Sequence, residues 1–352
     1  MAVIFVHNDS GDDSDDGSTE ALAKATIQGG VDAAAASGDI VAVKEGSDYT
    51  EAVSVTKKVE IVGYSGTWDI TNDPGDYDTR IVVDAENTRS YCFDCDQAAT
   101  EYSGIILRNF ECKNSTGAGI MATYTQNWKG KATFINVYSH DNSGDGFDCN
   151  VDSTYLNCEA SDNGDSGFKS FRASCFIDCV ANNNTGYGYE VTSSYVDSCV
   201  RCEAQGNGYA GSVAMDVLVE CSFDDNTDAV YPCAFSNAMF TNVFVGTQIT
   251  NNTDFLRNTT NVWMFTKDCN IWNNTDNRSS ITFNWKQSET GTDPEYTDDA
   301  SGDLTVENED YNPKDTQFGL MNGDTAERVI GARAADRSTG LIKTTMKTGG
   351  QL

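Results

Sequence analysis

Histidine and positive charge are scarce in this chain. Its 352 residues hold 2 His and 23 Lys+Arg against 54 Asp+Glu, a formal net charge of −31. Affinity for a phosphate backbone comes from Lys and Arg that displace counterions, so no nucleic-acid partner is expected. Two His argue against a zinc centre. Cys92-Phe-Asp-Cys95 and Cys199-Val-Arg-Cys202 have zinc-like spacing, but strand alternation would point the members of each pair to opposite faces. No apolar run is long enough to span a membrane, and Met1-Ala-Val-Ile-Phe-Val6 is followed at once by polar residues rather than by a secretory apolar stretch. No membrane partner is expected. Asp9, Asp12, Asp13, Asp15 and Asp16 crowd one stretch but lack the Glu and the spacing of an EF-hand loop. Neither a metal nor a cofactor is therefore expected. The excess of acid reads as a solvated surface that keeps the chain soluble in salt.

What the chain does have is a repeat. Phe134-Ile-Asn-Val-Tyr-Ser, Tyr155-Leu-Asn-Cys-Glu-Ala, Phe176-Ile-Asp-Cys-Val-Ala, Cys199-Val-Arg-Cys-Glu-Ala, Leu218-Val-Glu-Cys-Ser-Phe and Phe240-Thr-Asn-Val-Phe-Val begin 21, 21, 23, 19 and 22 residues apart. Self-similarity of this length means stacked units, each touching only its neighbours. The second, fourth and sixth places are apolar or small and the third is polar, which reads as strand alternation with one face buried. So short a strand must pair with its counterpart one repeat away, giving a parallel β-solenoid. Asp141-Asn142, Asp162-Asn163, Asn183-Asn184, Gly206-Asn207 and Asp225-Asn226 recur at one phase, as corners in which Asn and Asp tolerate the left-handed conformation. Gly-Asp-Gly-Phe147, Asp-Ser-Gly-Phe168 and Gly-Tyr-Gly-Tyr189 then lead into a second strand. About a dozen coils at ~4.8 Å each would make a rod of roughly 60 Å.

Upstream, Ile27, Val31 and Ala34/Ala35 share one helical stripe, and Gly38 is expected to end that helix. Such a helix can cover the open end of a solenoid. Gly38-Asp-Ile-Val-Ala-Val, Tyr49-Thr-Glu-Ala-Val-Ser-Val55 and Lys58-Val-Glu-Ile-Val-Gly63 read as three strands. Gly11-Asp-Asp-Ser-Asp-Asp-Gly17, Ala25-Thr-Ile-Gln28, Gly38-Asp-Ile-Val-Ala-Val and Tyr49-Thr-Glu51 together resemble the N-terminal pattern of the right-handed parallel β-helix proteins of the pectin-lyase-like group. The resemblance covers roughly residues 8 to 280 and implies an all-β fold. It leaves function open, because the group includes polysaccharide lyases, glycoside hydrolases, tailspikes and inert virion parts. The expected organisation is an acidic loop and capping helix over 1–37, the parallel β-helix over 38–286, a closing segment over 287–325 and a basic tail over 326–352.

Candidate chemistry lies on the second strand. Asp148, Lys169 and Glu190 follow Phe147, Phe168 and Tyr189 in successive coils, which puts the two carboxylates roughly 10 Å apart, at the limit for an inverting hydrolase. Asp165 and Arg172 are expected nearby. The alternative is a surface ion ladder with Lys169 between opposite charges. A second group, His140, Asp141, Asp145 and Asp162, falls at the corners, where turn chemistry accounts for the carboxylates. Tyr187, Tyr189, Tyr209, Phe147 and Phe168 flank Gly-rich turns, as either a sugar-binding strip or a ladder of core aromatics; Tyr187 and Tyr209 are the glycan-binding candidates. Cys158, Cys179, Cys202 and Cys221 share one inward place and are expected to be reduced, packed thiols. From Arg328 onward, Arg328, Arg333, Arg337, Lys343 and Lys347 stand against a single acid, Asp336.

Two readings of function follow. One is a structural component of a virus (phage) particle, a decoration, spike or fibre-like protein located in the virion and assembled in the host cytoplasm. It would associate as a homo-oligomer (trimer), or with other virion proteins, through the tail, and touch a cell-surface glycan through its side. The other is a polysaccharide-degrading enzyme, a lyase or glycoside hydrolase such as a phage depolymerase, working extracellularly with Asp148, Glu190 and Lys169 as its catalytic residues.

Overall fold

The computed structural model describes residues 2–35, 38–65, 80–95, 104–122, 131–171, 173–191, 197–213, 215, 217–231, 241–250, 252, 254–256, 263–272, 285–290, 296–297 and 305–306. Its backbone winds into a parallel β-solenoid with two faces: a long sheet of eighteen strands and a short sheet of nine. Among the described residues the short sheet has nine strands, fewer than the dozen coils expected. The strand Trp285–Thr290 still pairs in parallel with Trp263–Trp272, and Tyr296–Thr297 pairs antiparallel with Thr305–Val306. The basic tail, with Arg328, Arg333, Arg337, Lys343 and Lys347, lies outside the described residues, as does Arg172.

One coil shows how the others are built. Asp152–Leu156 runs into Asn157 at φ 52°, continues as Glu159–Ser161, turns at Asp162 with φ 57°, and crosses to Phe168–Ser170 in the short sheet. Each piece lies in register with its copy one coil on: Tyr155 with Phe176, Ala160 with Ala181, Phe168 with Tyr189.

The third place of the repeat is a corner rather than a wet strand position. Asn136, Asn157, Asp178, Arg201 and Glu220 all have φ between 52° and 55°. A left-handed residue costs roughly 1–2 kcal/mol when it is not glycine, and here it keeps its ladder bond. The N–H groups of Asn157, Asp178, Arg201 and Glu220 donate to the next coil at 2.9, 3.0, 2.8 and 2.7 Å. The corner also resets side-chain parity, which corrects the expected alternation. Phe134, Tyr155, Phe176, Cys199 and Leu218 in the first place are fully buried, whereas Ile135, Leu156, Ile177, Val200 and Val219 in the second place face outward and are only partly buried. After the corner the fourth and sixth places point in. The same reset turns both Cys199 and Cys202 inward, and Cys92 and Cys95 are both buried as well, contrary to the opposite-face expectation. The sixth repeat shifts too. Leu218 pairs with Phe244 rather than Phe240, which brings Gly246, at φ 59°, to the corner.

The second corner divides labour between its two residues. Asp141, Asp162, Asn183, Gly206 and Asp225 take the left-handed conformation, while the Asn that follows turns inward. Asn142 donates its Nδ2 to Oδ1 of Asn163 at 3.0 Å, Asn163 to Asn184 at 2.9 Å, Asn184 to Asn207 at 3.0 Å, Asn207 to Asn226 at 2.7 Å and Asn226 to Asn252 at 3.1 Å. This ladder satisfies amides that would be costly to bury alone.

Between the sheets the core is stacked in columns. Phe147, Phe168 and Tyr189 lie face to face at 4.8 and 5.1 Å, and Tyr155 stacks on Phe134 at 5.1 Å and on Phe176 at 4.6 Å. The two columns meet edge to face, as in the 5.3 Å contact of Tyr155 with Phe168, the geometry favoured by the ring quadrupole. Cys158, Cys179, Cys202 and Cys221 form a buried column of free thiols, as expected.

At the N-terminus the helix covers Ile27–Ala33 and ends before Gly38, with Ala34 buried and Ala35 exposed. Ile27, Val31 and Ala34 join the main core. Thr26 caps the helix by accepting from Gly29 N. Asp13 Oδ1 in turn accepts from the N–H groups of Ala25 and Thr26 at 2.9 and 3.0 Å, and Glu51 accepts from Ile27 and Gln28 at 2.7 and 2.9 Å. The Asp-rich stretch is thus a network of turns and caps. Asp12 and Asp16 each accept from the backbone N–H two residues on, at 2.8 Å.

Candidate functional site

The outer face of the short sheet carries the polar groups that the sequence singled out. Strands Phe147–Cys149, Phe168–Ser170 and Tyr189–Val191 bury their first residue and turn the second outward. Parallel register then sets Asp148 beside Lys169 and Lys169 beside Glu190. Glycine precedes each strand because the coils approach closely there: a Cβ on Gly167 would sit 2.9 Å from the carbonyl oxygen of Gly188 and 2.8 Å from Asn184 Nδ2.

Lys169 does not bridge the two candidate carboxylates by contact. Its Nζ donates to Asp145 Oδ2 at 3.1 Å, from the turn just before Phe147, and Asp145 Oδ1 accepts from Ser166 N at 3.0 Å. Sequence reasoning placed Asp145 with His140; the fold places it here, because the turn after the second corner leads straight into the short sheet. Ser166 Oγ donates to Glu190 Oε2 at 2.8 Å and accepts from Tyr187 N at 3.3 Å. Asp148 Oδ1 is shielded from solvent and accepts no hydrogen bond from the described residues.

Burial dominates the electrostatics of the carboxyls. It pushes Asp145 up to about 6, against the pull of Lys169, and it raises Asp148 and Glu190. The charge of Asp165 adds to the rise in all three, so this side chain belongs to the cluster. Burial works against the Lys169 ammonium, but the charges of Asp145, Asp148 and Glu190 prevail and hold it above its ordinary range. A lysine held protonated in this way is a hydrogen-bond donor and a poor proton acceptor.

The aromatic candidates divide. Phe147, Phe168 and Tyr189 are core. Tyr187 and Tyr209 lie on the turns leading into the short sheet, with ring centroids 5.3 Å apart and planes tilted by 31°, and Tyr209 is 55% exposed. Through Ser166 this pair is joined to the ion ladder. At the other end, Phe171 follows Ser170 and is 41% exposed. Sequence reasoning missed it because it belongs to no repeated column; the signal available was the exposed parity of a residue two places after Lys169.

His140 belongs to a separate group on the long sheet. Its Nε2 lies 3.2 Å from Glu111 Oε1 and its Nδ1 2.7 Å from Asp141 Oδ2, and its ring stacks on Tyr138 at 4.1 Å. Arg80 covers the Tyr138 ring at 5.5 Å. Burial opposes the His140 cation, yet the hydrogen bonds of Glu111 and Asp141 raise its pKa. Both ring nitrogens and the adjacent cation are already matched by protein groups, and Asp162, at an exposed corner, reaches the group only through its charge on Tyr138.

No family model and no curated protein matches the chain. Among solved structures it is similar to pectate lyase Pel9A, with a TM-score of 0.58 and 14% identity over 99% of this chain and 94% of that one. It is also similar to the A-module of the Azotobacter vinelandii mannuronan C-5 epimerase AlgE4, with a TM-score of 0.53 and 19% identity over 69% and 71% of the two chains. A Geobacillus virus E2 protein, ORF18, aligns at a TM-score of 0.48 and 13% identity over 75% of this chain and 59% of its own. At these identities the likeness establishes the fold alone: the chain is an all-β parallel β-solenoid, a fold it shares with pectate lyase Pel9A.

Proposed function

We propose that the chain is a glycan-binding β-helix, a structural component of a virus particle that contacts a polysaccharide through the outer face of its short sheet and does not cleave it. The observation that carries this reading is the pair of half-buried Tyr187 and exposed Tyr209, joined through the Tyr187 backbone N–H and Ser166 to Glu190 in the ladder of Asp148, Lys169 and Glu190. Aromatic rings beside fixed acceptors and donors are what a sugar, with apolar faces and hydroxyl edges, requires. Two features weigh against cleavage. Lys169 is held as a cation by Asp145 and is unsuited to remove a proton near neutral pH. Its side chain also lies between Asp148 and Glu190 in register, in the gap that an inverting hydrolase keeps for sugar and water. The virion part of the reading is supported by the buried free thiols, which suit assembly in a reducing cytoplasm. It is supported also by a tail whose charge is opposite to that of the body. Attachment through Arg328, Arg333, Arg337, Lys343 and Lys347, in a trimer or to other virion proteins, is part of the proposal.

The test is a glycan array probed with the full chain and with Tyr209→Ala, beside a reducing-end assay on any polysaccharide retained. Binding lost in Tyr209→Ala, with no new reducing ends, is the expected result, and turnover abolished by Asp148→Asn or Glu190→Gln would overturn it. The native mass with and without residues 326–352 tests the assembly part, and a monomer in both cases removes it. One observation favours the enzymatic alternative. Asp145 at about 6 is in the range of a general acid near neutral pH, so Asp145→Asn belongs in the same cleavage assay.

A further inference from the structure

Of the three large apolar side chains most exposed among the described residues, Leu22 at 41%, Phe171 at 41% and Tyr209 at 55%, two border the same ion ladder. Phe168 and Ser170 are buried and Lys169 faces out, so strand alternation places Phe171 on the side of Lys169. Its N–H donates to Cys149 O at 3.0 Å, which keeps the residue in register with the coil before. The ladder is therefore bounded by aromatic surface at both ends: Tyr187 and Tyr209 where the chain enters the short sheet, and Phe171 where it leaves. An exposed phenyl ring two places from a lysine adds nothing to the core and leaves its face available to the apolar face of a sugar ring.

The charge between these ends is one-sided. Among the described residues, Asp145, Asp148, Asp165 and Glu190 contribute four carboxyl groups against the single ammonium of Lys169, and that ammonium is already matched by Asp145 at 3.1 Å. Carboxylates accept hydrogen bonds and donate none. They suit the hydroxyls of a neutral sugar, or an ammonium, and repel another anion.

Resting on the glycan reading above, we infer that the polysaccharide held on this face carries no carboxylate or sulfate, being neutral or amino-bearing, and that Phe171 is its second stacking platform. A uronate chain would bring a like charge at every residue to a body of formal charge −31, and the face offers it no uncommitted cation among the described residues.

The test is calorimetric or NMR titration of the full chain with three defined probes: a cello-oligosaccharide, a glucosamine oligosaccharide and a galacturonate oligosaccharide of equal length. The neutral or the amino probe is expected to bind at least tenfold more tightly than the galacturonate probe, a difference of about 1.4 kcal/mol. Phe171→Ala should weaken that binding by about tenfold, the scale of one aromatic contact, and Phe171→Trp, a folded control, should retain it. Preference for galacturonate that depends on Phe171 would overturn the charge argument and leave the glycan reading standing. Equal affinity of Phe171→Ala and wild type would remove Phe171 from the site. Failure of all three probes together with a blank glycan array would sink both readings.

Discussion

Asn184 accepts from Asn163 Nδ2 at 2.9 Å and donates its own Nδ2 to Asn207 Oδ1 at 3.0 Å, so one buried amide ties three coils together. Its Nδ2 also reaches Ala160 O at 3.0 Å. Asn184→Ala strips partners from donors and acceptors on both sides, and leaving such groups unmet costs about 1–3 kcal/mol each. The expected outcome is a fall in stability of about 3 kcal/mol by denaturant titration, with the far-UV spectrum retained. A change below about 0.5 kcal/mol, the scale of a neutral surface substitution, would mean the ladder is not what holds the corner.

The thiol column predicts an order of reactivity. Cys175 is partly exposed, whereas nine other described cysteines are buried, and burial pushes the Cys149 thiol up to about 12. Thiolate is the reactive form. Among the described cysteines, an alkylating reagent at neutral pH should therefore modify Cys175 first and reach Cys158, Cys179, Cys202 and Cys221 only when the chain unfolds, as mapped by peptide mass spectrometry. Native-state labelling of that column at the rate of Cys175 would contradict the packing.

The carboxyl of Asp145 gives a pH dependence of definite sign. Its folded pKa of about 6 lies above the ordinary aspartate value, because burial favours the neutral form. Its contribution to stability is therefore present below about 4 and is lost as pH rises through about 6. Carboxyl-carbon NMR should find a titration near 6. Lys169→Met, which removes the cation that opposes the rise, should move that midpoint further up; a downward move would show that Lys169 does not act on Asp145.

The acidic N-terminal loop is predicted to be a capping device. Asp13 accepts from two backbone N–H groups and from Thr26 Oγ1 at 2.8 Å, so Asp13→Ala should destabilise the first coil by about 1–2 kcal/mol, the usual cost of a lost cap. Millimolar calcium should leave the wild-type melting temperature unchanged. A calcium-dependent rise that vanishes in Asp13→Ala would make the loop a cation site instead.

Much of this molecule was legible in the sequence, because a solenoid writes its cross-section into the chain once per coil. The parallel pairing, the Asp–Asn corner, the Cys158–Cys221 column and the core roles of Phe147, Phe168 and Tyr189 all follow from a repeat near 21 residues. The parity reset was hidden, since Asn136, Asp178, Arg201 and Glu220 look like any exposed strand residue; their left-handed conformation is imposed by the coil, not by a glycine. Phe240 misled for a related reason. Its phrase matches the repeat in polarity, but Gly246 is the residue that fits the corner. In the site, the register of Asp148, Lys169 and Glu190 could be read from spacing, whereas Asp145 joins them only through the path of a turn, and Phe171 stands outside any column.

Each coil meets the next through like residues in like places, so the length of the rod is separable from its cross-section. Duplicating the stretch from one corner to its equivalent, for instance from Asn157 to Asp178, would return every core column to itself and extend the reach of the molecule. Such a body can be lengthened by copying a coil, with the binding face carried along intact.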